Sequence, residues 1–300
     1  MTDDQNVDAR ESSGNAIDAR YIAARLILLD ALEALIPHGR AVIVAGAQAV
    51  YLRTGLSDIG IAPYTTDGDL ALDPTLLADE PELEVSMRNA GFQLLEPTPN
   101  HPEPGVWVAT ASVEGEELII PVDLIVPEGA ATGGGRRGAR LGRHGNRAAR
   151  RAIGLEAALV DHTAMTITAL DCADTRSFDV EVAGAAALLV SKAHKIHDRL
   201  SSSHSDRLID KDATDIYRLM QTTNPAETAR RLAELRHHAM AGPATESAIV
   251  YLADLFQRRN GQGVAMAARA LRLAVPEAQV ATLCTSYIGR LLRALDDDQL

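Results

Sequence analysis

Apolar and polar positions change their rhythm several times along the chain. Over residues 16 to 38, "AIDARYIAARLILLDALEALIPH", apolar residues return every three or four positions, the spacing of one buried helix face. The pattern then tightens into "AVIVAG", residues 41 to 46, an unbroken apolar run ending in glycine, which fits a buried strand. "AQAVYLRTG" returns to helix and stops at Gly55, where a glycine closes the last turn without strain. "TTDGDLALD" (65 to 73), "VWVATASV" (106 to 113), "EELIIPVDLIVP" (116 to 127), "AMTITAL" (164 to 170) and "SFDVEVAG" (177 to 184) read as strands. The second and third are joined by a turn at Glu114-Gly115-Glu116. "PELEVSMRNAGF" (81 to 92) reads as a helix, with proline near its start and glycine at its end. From Gly184 only helical periodicity remains, over about 184 to 200, 208 to 221, 225 to 239, 243 to 258, 263 to 273 and 276 to 296. The expectation is an α+β chain in three parts: a disordered tail over 1 to 15, an α/β domain over 16 to 183, and an all-helical domain over 184 to 300.

Composition narrows the function classes. Hydrophobic residues make up 46% of the 300 residues but aromatic ones only 3%, so the core must be built from Ala, Leu, Val and Ile. Cys172 and Cys284 lie far apart and suggest neither a disulfide framework nor a zinc site. They fit a reducing, cytoplasmic setting. The polar N-terminal stretch has no apolar segment of the signal-peptide kind, and no run approaches the roughly 20 apolar residues that span a bilayer. No membrane partner is expected. A net charge of −12 argues against a general nucleic-acid coat protein.

That charge is unevenly placed. "RRGARLGRHGNRAARR", residues 136 to 151, holds seven arginines and no acid, and follows Gly133-Gly134-Gly135. One reading of this stretch, within a loop over 128 to 151, is a mobile, solvated basic segment. The other is a phosphate clamp, since the guanidinium fork can take two phosphate oxygens at once. Arg136, Arg137, Arg140 and Arg143 are its candidate RNA contacts.

The carboxylates carry the chemistry. Asp67 and Asp69 lie two apart in a strand-like run, so they share a face, and each raises the cost of ionising the other. Magnesium (or manganese) clamping a nucleotide's phosphates would remove that repulsion; a calcium loop would need further acids at regular spacing, which are absent. Asp123 sits alone in the apolar run "LIIPVDLIVP", where an unpaired carboxylate would be costly. It reads either as a third ligand or proton acceptor, or as the partner of an arginine.

In the helical half, Lys192, Lys195 and Arg199 form a stripe beside the apolar stripe Leu189, Ala193, Ile196 and Leu200. Asp212 and Asp215 share a stripe with Leu208, Ile216 and Leu219. The charges therefore border the core, which suits either an interhelical ion-pair network or the wall of an active site. His194 and His197 read as helix-surface residues; with His204 they form no usual tetrahedral zinc set.

A strand-turn-helix "VIVAGAQAVYLR", then Asp67-x-Asp69, then an acid on a later strand resembles the nucleotidyltransferase superfamily. More closely, the chain resembles the AbiEii/MenT-type nucleotidyltransferase toxins. That likeness extends to "LLVSKAHKIHDRL" and "DKDATDIYRLM" and covers roughly residues 41 to 220. Departures stand at Ala45-Gly46-Ala47-Gln48, where the family often carries Gly-Ser, and at "PYTT", where an arginine often precedes Asp-x-Asp. The resemblance implies a nucleotidyltransferase-like mixed sheet with flanking helices and metal-dependent transfer of a nucleoside monophosphate from an NTP to a hydroxyl acceptor. The 3′ end of tRNA is the acceptor it suggests, in the toxin of a toxin–antitoxin pair with a cognate antitoxin protein as partner. In that reading Asp67, Asp69 and Asp123 hold metal, and Gly46, Ala47, Gln48, Lys195, Arg199 and Asp212 surround the nucleotide. Lys192 binds its phosphates and Asp215 positions Lys192. The alternatives are a regulatory or partner-binding module with little catalysis, and a transferase acting on a protein or a small molecule.

Overall fold

A computed structural model describes residues 17–55, 64–132, 137–201 and 210–297. The tail over 1 to 15, the triple glycine, Arg136 and His204 lie outside the described residues. The chain is α+β: a mixed sheet with flanking helices, followed by a run of helices.

Helix α1 (Ala19–Ala34) starts where the Asp18 side chain accepts from the Arg20 N–H, a capping contact that occupies one orphan donor. A 3-10 turn carries the chain through Pro37 into β1 (Val42–Ala45), whose four residues are all buried. Gly46, at φ +64°, swings the chain directly into α2 (Gly46–Thr54), which Gly55 closes at φ +66°. β2 (Gly68–Leu72), α3 (Leu83–Asn89), a two-residue β3 (Gln93–Leu94) and the hairpin β4 (Val106–Val113) and β5 (Glu116–Pro127) follow. The hairpin turn places Glu114 and Gly115 both at positive φ, as a tight two-residue connection requires. β6 (Arg150–Ala152), β7 (His162–Thr168) and β8 (Ser177–Ala183) complete the sheet.

Its order is β3-β4-β5-β2-β1-β8-β7, with β6 added alongside the end of β5. β2 runs antiparallel to β1 and parallel to β5, and β1 runs parallel to β8. The apolar share of β5 follows from this order. Among the described residues its first half is paired with β4 alone and tolerates Pro121, because proline cannot complete a ladder on both sides. Its second half is flanked on both edges and is buried from Leu124 to Pro127.

The helical run reads α4 (Ala185–Ser201), α5 (Lys211–Thr222), α6 (Pro225–Arg236), α7 (Gly242–Phe256), α8 (Gln262–Leu271) and α9 (Glu277–Asp297). Asp161 anchors its start: Oδ2 accepts from Ala187 N–H and Oδ1 from Arg231, and a Cβ on Gly184 would fall 2.3 Å from that carboxylate. α4 and α5 both pack on α2, and one continuous apolar core runs from α1 through the sheet to α9. Among the described residues no helix is long and apolar enough to cross a membrane.

The arginine-rich stretch does not hang free. Its described part, from Arg137, folds back on the sheet. Trp107 Nε1 donates to Ala148 O at 2.8 Å, Gly105 N to Arg147 O and Ala139 N to Ala149 O, while Ala139, Ala148 and Ala149 are buried. Arg137 pairs with Glu103, Arg143 with Glu80, Arg147 with Glu84, Arg150 with Asp123 and Arg151 with Glu128. Of the two readings of this stretch, the mobile, solvated segment does not describe the part from Arg137, which draws on acids scattered over the rest of the chain. Arg140 remains exposed.

Candidate functional site

Strand register assembles the acids. Asp69 on β2 lies opposite Ala45 of β1 on one side and opposite Asp123 of β5 on the other. Residues paired across parallel strands point to the same face of the sheet, so two carboxylates from distant parts of the sequence stand side by side. Asp67 falls just before β2, outside the strand that the sequence assigns it to. Its side chain is 38% exposed; it accepts from the Thr65 hydroxyl and lies 3.6 Å from Lys211 Nζ, which itself donates to Thr65 Oγ1 at 2.6 Å.

Gly46 packs directly against Asp69. A Cβ on it would fall 1.9 Å from Asp69 Oδ2. The start of α2 thus sits directly on the carboxylate, and only glycine permits both that approach and a φ of +64°. Gly46→Ala is expected to lower stability by about 1–3 kcal/mol through this strain and to displace Asp69. A denaturant midpoint equal to that of the parent protein would contradict the contact.

A cavity of about 470 Å³ opens over this floor. Gly46 and Asp69 lie at its base; Ile125, Arg150, Arg151, Ile153 and Leu155 form the β5–β6 wall; Ser191, Lys192, Lys195 and Arg199 form the α4 wall. Arg150, Arg151, Lys192, Lys195 and Arg199 thus surround a space that two carboxylates, Asp69 and Asp198, also line.

The α4 and α5 charges form the ion-pair network that the stripes allowed, and Lys192 also reaches the cavity. Its Nζ donates to Asp212 Oδ1 at 2.8 Å and to Asp215 Oδ2 at 2.6 Å. Arg199 pairs with Asp212 as well, and Lys195 stands 3.9 Å from it. Lys192 is only 2% exposed and Asp215 0%, so these charges lie inside the core and not at its border as the stripes suggested. Burial works against charge on Lys192, but Asp212 and Asp215 outweigh it and hold its pKa well above the ordinary value. Burial likewise opposes ionisation of Asp212, and Lys192, Lys195 and Arg199 reverse that, holding it well below the carboxylate range.

Asp123 is pushed up to about 6. Burial is the largest cause and the neighbouring Asp69 the next, opposed by the Arg150 guanidinium. Carboxyl-carbon NMR of the free protein should therefore show Asp123 titrating near 6. Asp69→Asn should bring that midpoint down, since a like charge is removed. A midpoint below 4, near the ordinary 3.8, would remove the case for mutual crowding.

The glycine motif behaves unevenly. Gly46 lines the cavity, and Ala47 is buried behind it. Gln48 turns inward: its Oε1 accepts from the buried Arg25 Nε at 2.9 Å. The side chain offered by the sequence as a phosphate contact is engaged in the core. His194 is also buried, bonded through Nε2 to Ala244 O at 2.8 Å, and His197 stacks on Tyr251. His194 is thus no surface residue, because α7 covers that side of α4.

Three cavity or acid partners escaped the sequence reading. Lys211 stands next to Asp212 in the quoted α5 motif, which was its available signal. Arg150 and Arg151 belonged to the basic run, but nothing local set them apart from the other arginines.

Oxygen donors of this kind suit magnesium or manganese. Asp67, Asp69 and Asp123 supply the right donor class. Among the described residues no group of three or more His, Cys, Asp or Glu side chains is gathered as a metal ion requires; Asp123 is turned to Arg150 and Asp67 to Lys211. Neither a protein-family model nor a curated protein matches the chain.

Proposed function

We propose that the protein is a metal-dependent nucleotidyltransferase. The observation that carries this reading is the pairing of Asp69, at the base of a cavity walled by Lys192, Lys195 and Arg199, with Asp123 on the adjacent strand. Acids below and cations around suit a triphosphate that needs both a metal and direct charge neutralisation. Asp67, Asp69 and Asp123 would hold the magnesium, which, when bound, offsets phosphate charge and aligns the reacting oxygens. Lys195 and Arg199, on the partly exposed end of the α4 stripe, bind the phosphates; Lys192, fixed by Asp212 and Asp215, adds its charge from beneath. Asp123 takes the proton of the acceptor hydroxyl as that oxygen bonds to the α-phosphorus. The bond to pyrophosphate breaks, and pyrophosphate leaves.

The acceptor follows from the family resemblance: the 3′ end of tRNA, for a toxin acting in the cytoplasm with an antitoxin partner. The fold of the arginine segment favours a smaller role for it in holding RNA than its charge suggests, because Arg137 and Arg143 already have acidic partners. The deciding experiment incubates the protein with each α-phosphate-labelled NTP, magnesium and total RNA. Label in tRNA is the expected result. Label in protein alone would support the protein-acceptor alternative, and no transferred label from any NTP would favour the non-catalytic module.

A further inference from the structure

One cavity contact is unused by this chemistry. Arg150 sends Nε and Nη2 to the same oxygen, Asp123 Oδ2, at 3.2 and 2.6 Å. It also lines the cavity together with Asp69. Its main chain is fixed: Arg150 is paired with Ile125 in the β5–β6 ladder, and Gly105 packs so closely that a Cβ there would fall 2.2 Å from Arg150 N. Its side chain is less confined, being 30% exposed. A guanidinium on a carboxylate oxygen and a divalent ion on that same carboxylate are two like charges competing for one acceptor.

We propose that Arg150 is an internal counter-cation that competes with the divalent metal for Asp123 and swings off into the cavity when metal enters. Resting on the metal-holding role of the three aspartates, this makes Arg150 a positioning residue. While it holds Asp123, the carboxylate set stays apart; once released, its planar fork reaches the space over Asp69, where phosphate oxygens take it up bidentately. Nucleotide would thereby favour metal binding, and metal nucleotide binding, by one exchange of partners.

Manganese binding to the full chain, read by electron paramagnetic resonance without nucleotide, tests this. Arg150→Met is expected to tighten Mn²⁺ binding by about tenfold, the loss of one close competing charge. Arg151→Met, which removes an equal charge from the same cavity without touching Asp123, should change it much less. In an Asp123→Asn background the Arg150→Met effect should vanish. Equal tightening in both arginine variants would reduce the effect to general electrostatics and overturn the proposal. So would unchanged, weaker or absent Mn²⁺ binding in Arg150→Met. If Mn²⁺ binding tightens as expected but no NTP yields transferred label, the transferase reading fails and the competition stands. Transfer with no Arg150→Met effect on Mn²⁺ gives the converse.

Discussion

Asp69→Asn is expected to lower nucleotidyl transfer by about a thousandfold or more, the loss of several kcal/mol of charge stabilisation at the reacting phosphate. Of the three acids, Asp69 is the one at the centre. It is buried, lies between β1 and β5, sits under Gly46 and lines the cavity. The amide keeps the shape and removes the charge, so packing beneath α2 should survive. Removing a like charge beside Asp123 should, if anything, ease ionisation there. The measurement is single-turnover transfer with saturating NTP and magnesium, alongside a urea denaturation curve. Full transfer by a folded Asp69→Asn protein would end the metal-site reading.

Lys192→Ala should destabilise the fold by about 3–5 kcal/mol, because it strands buried carboxylates that had a charged partner. Asp215 has no exposure and its Oδ2 receives Lys192; Asp212 is shared among Lys192, Arg199 and Lys195. Lys192→Met with Asp215→Asn removes one charge of each sign and should recover much of the loss. Transfer should stay abolished in both variants, which separates the structural role of Lys192 from its electrostatic one. A single variant as stable as the parent in urea would mean that the pair contributes nothing net.

The pH dependence has a definite sign. Asp212 is depressed below its ordinary 3.8, so its contribution is present above 3.8 and is lost as the pH falls further toward its native value. Lys192 is raised above its ordinary 10.5, so its contribution is complete below 10.5 and is lost as the pH climbs beyond it. Between those limits the ion pairs should leave stability flat. The Asp212→Asn variant should lose Asp212's share of the acid limb of the parent's stability profile, while the other depressed carboxylates, Asp67 and Glu84 among them, keep theirs.

Periodicity alone determined the order of the longer helices and strands, since a buried face must recur with the period of its element. It placed the hairpin at Glu114-Gly115 and the helices after Gly184, and it set the charged stripes of α4 and α5 beside their apolar ones. It also marked Asp123 as an acid out of place among apolar neighbours. Strand neighbours were another matter. Period two tells which residues share a face, not which strand comes alongside, and only the insertion of β2 between β1 and β5 set Asp69 against Asp123. The two-residue β3 and three-residue β6 were too short to show a period at all. Charge was least legible. Seven arginines in a row of small residues look alike in sequence, and the tertiary fold gave Arg150 to Asp123, Arg147 to Glu84 and Arg143 to Glu80. A helical stripe could place Lys192 beside the core, but its burial came from α5 closing over α4 with two carboxylates aimed at one ammonium. Ion pairs between distant segments depend on which surfaces the packed core brings face to face, and that is decided by the whole chain at once.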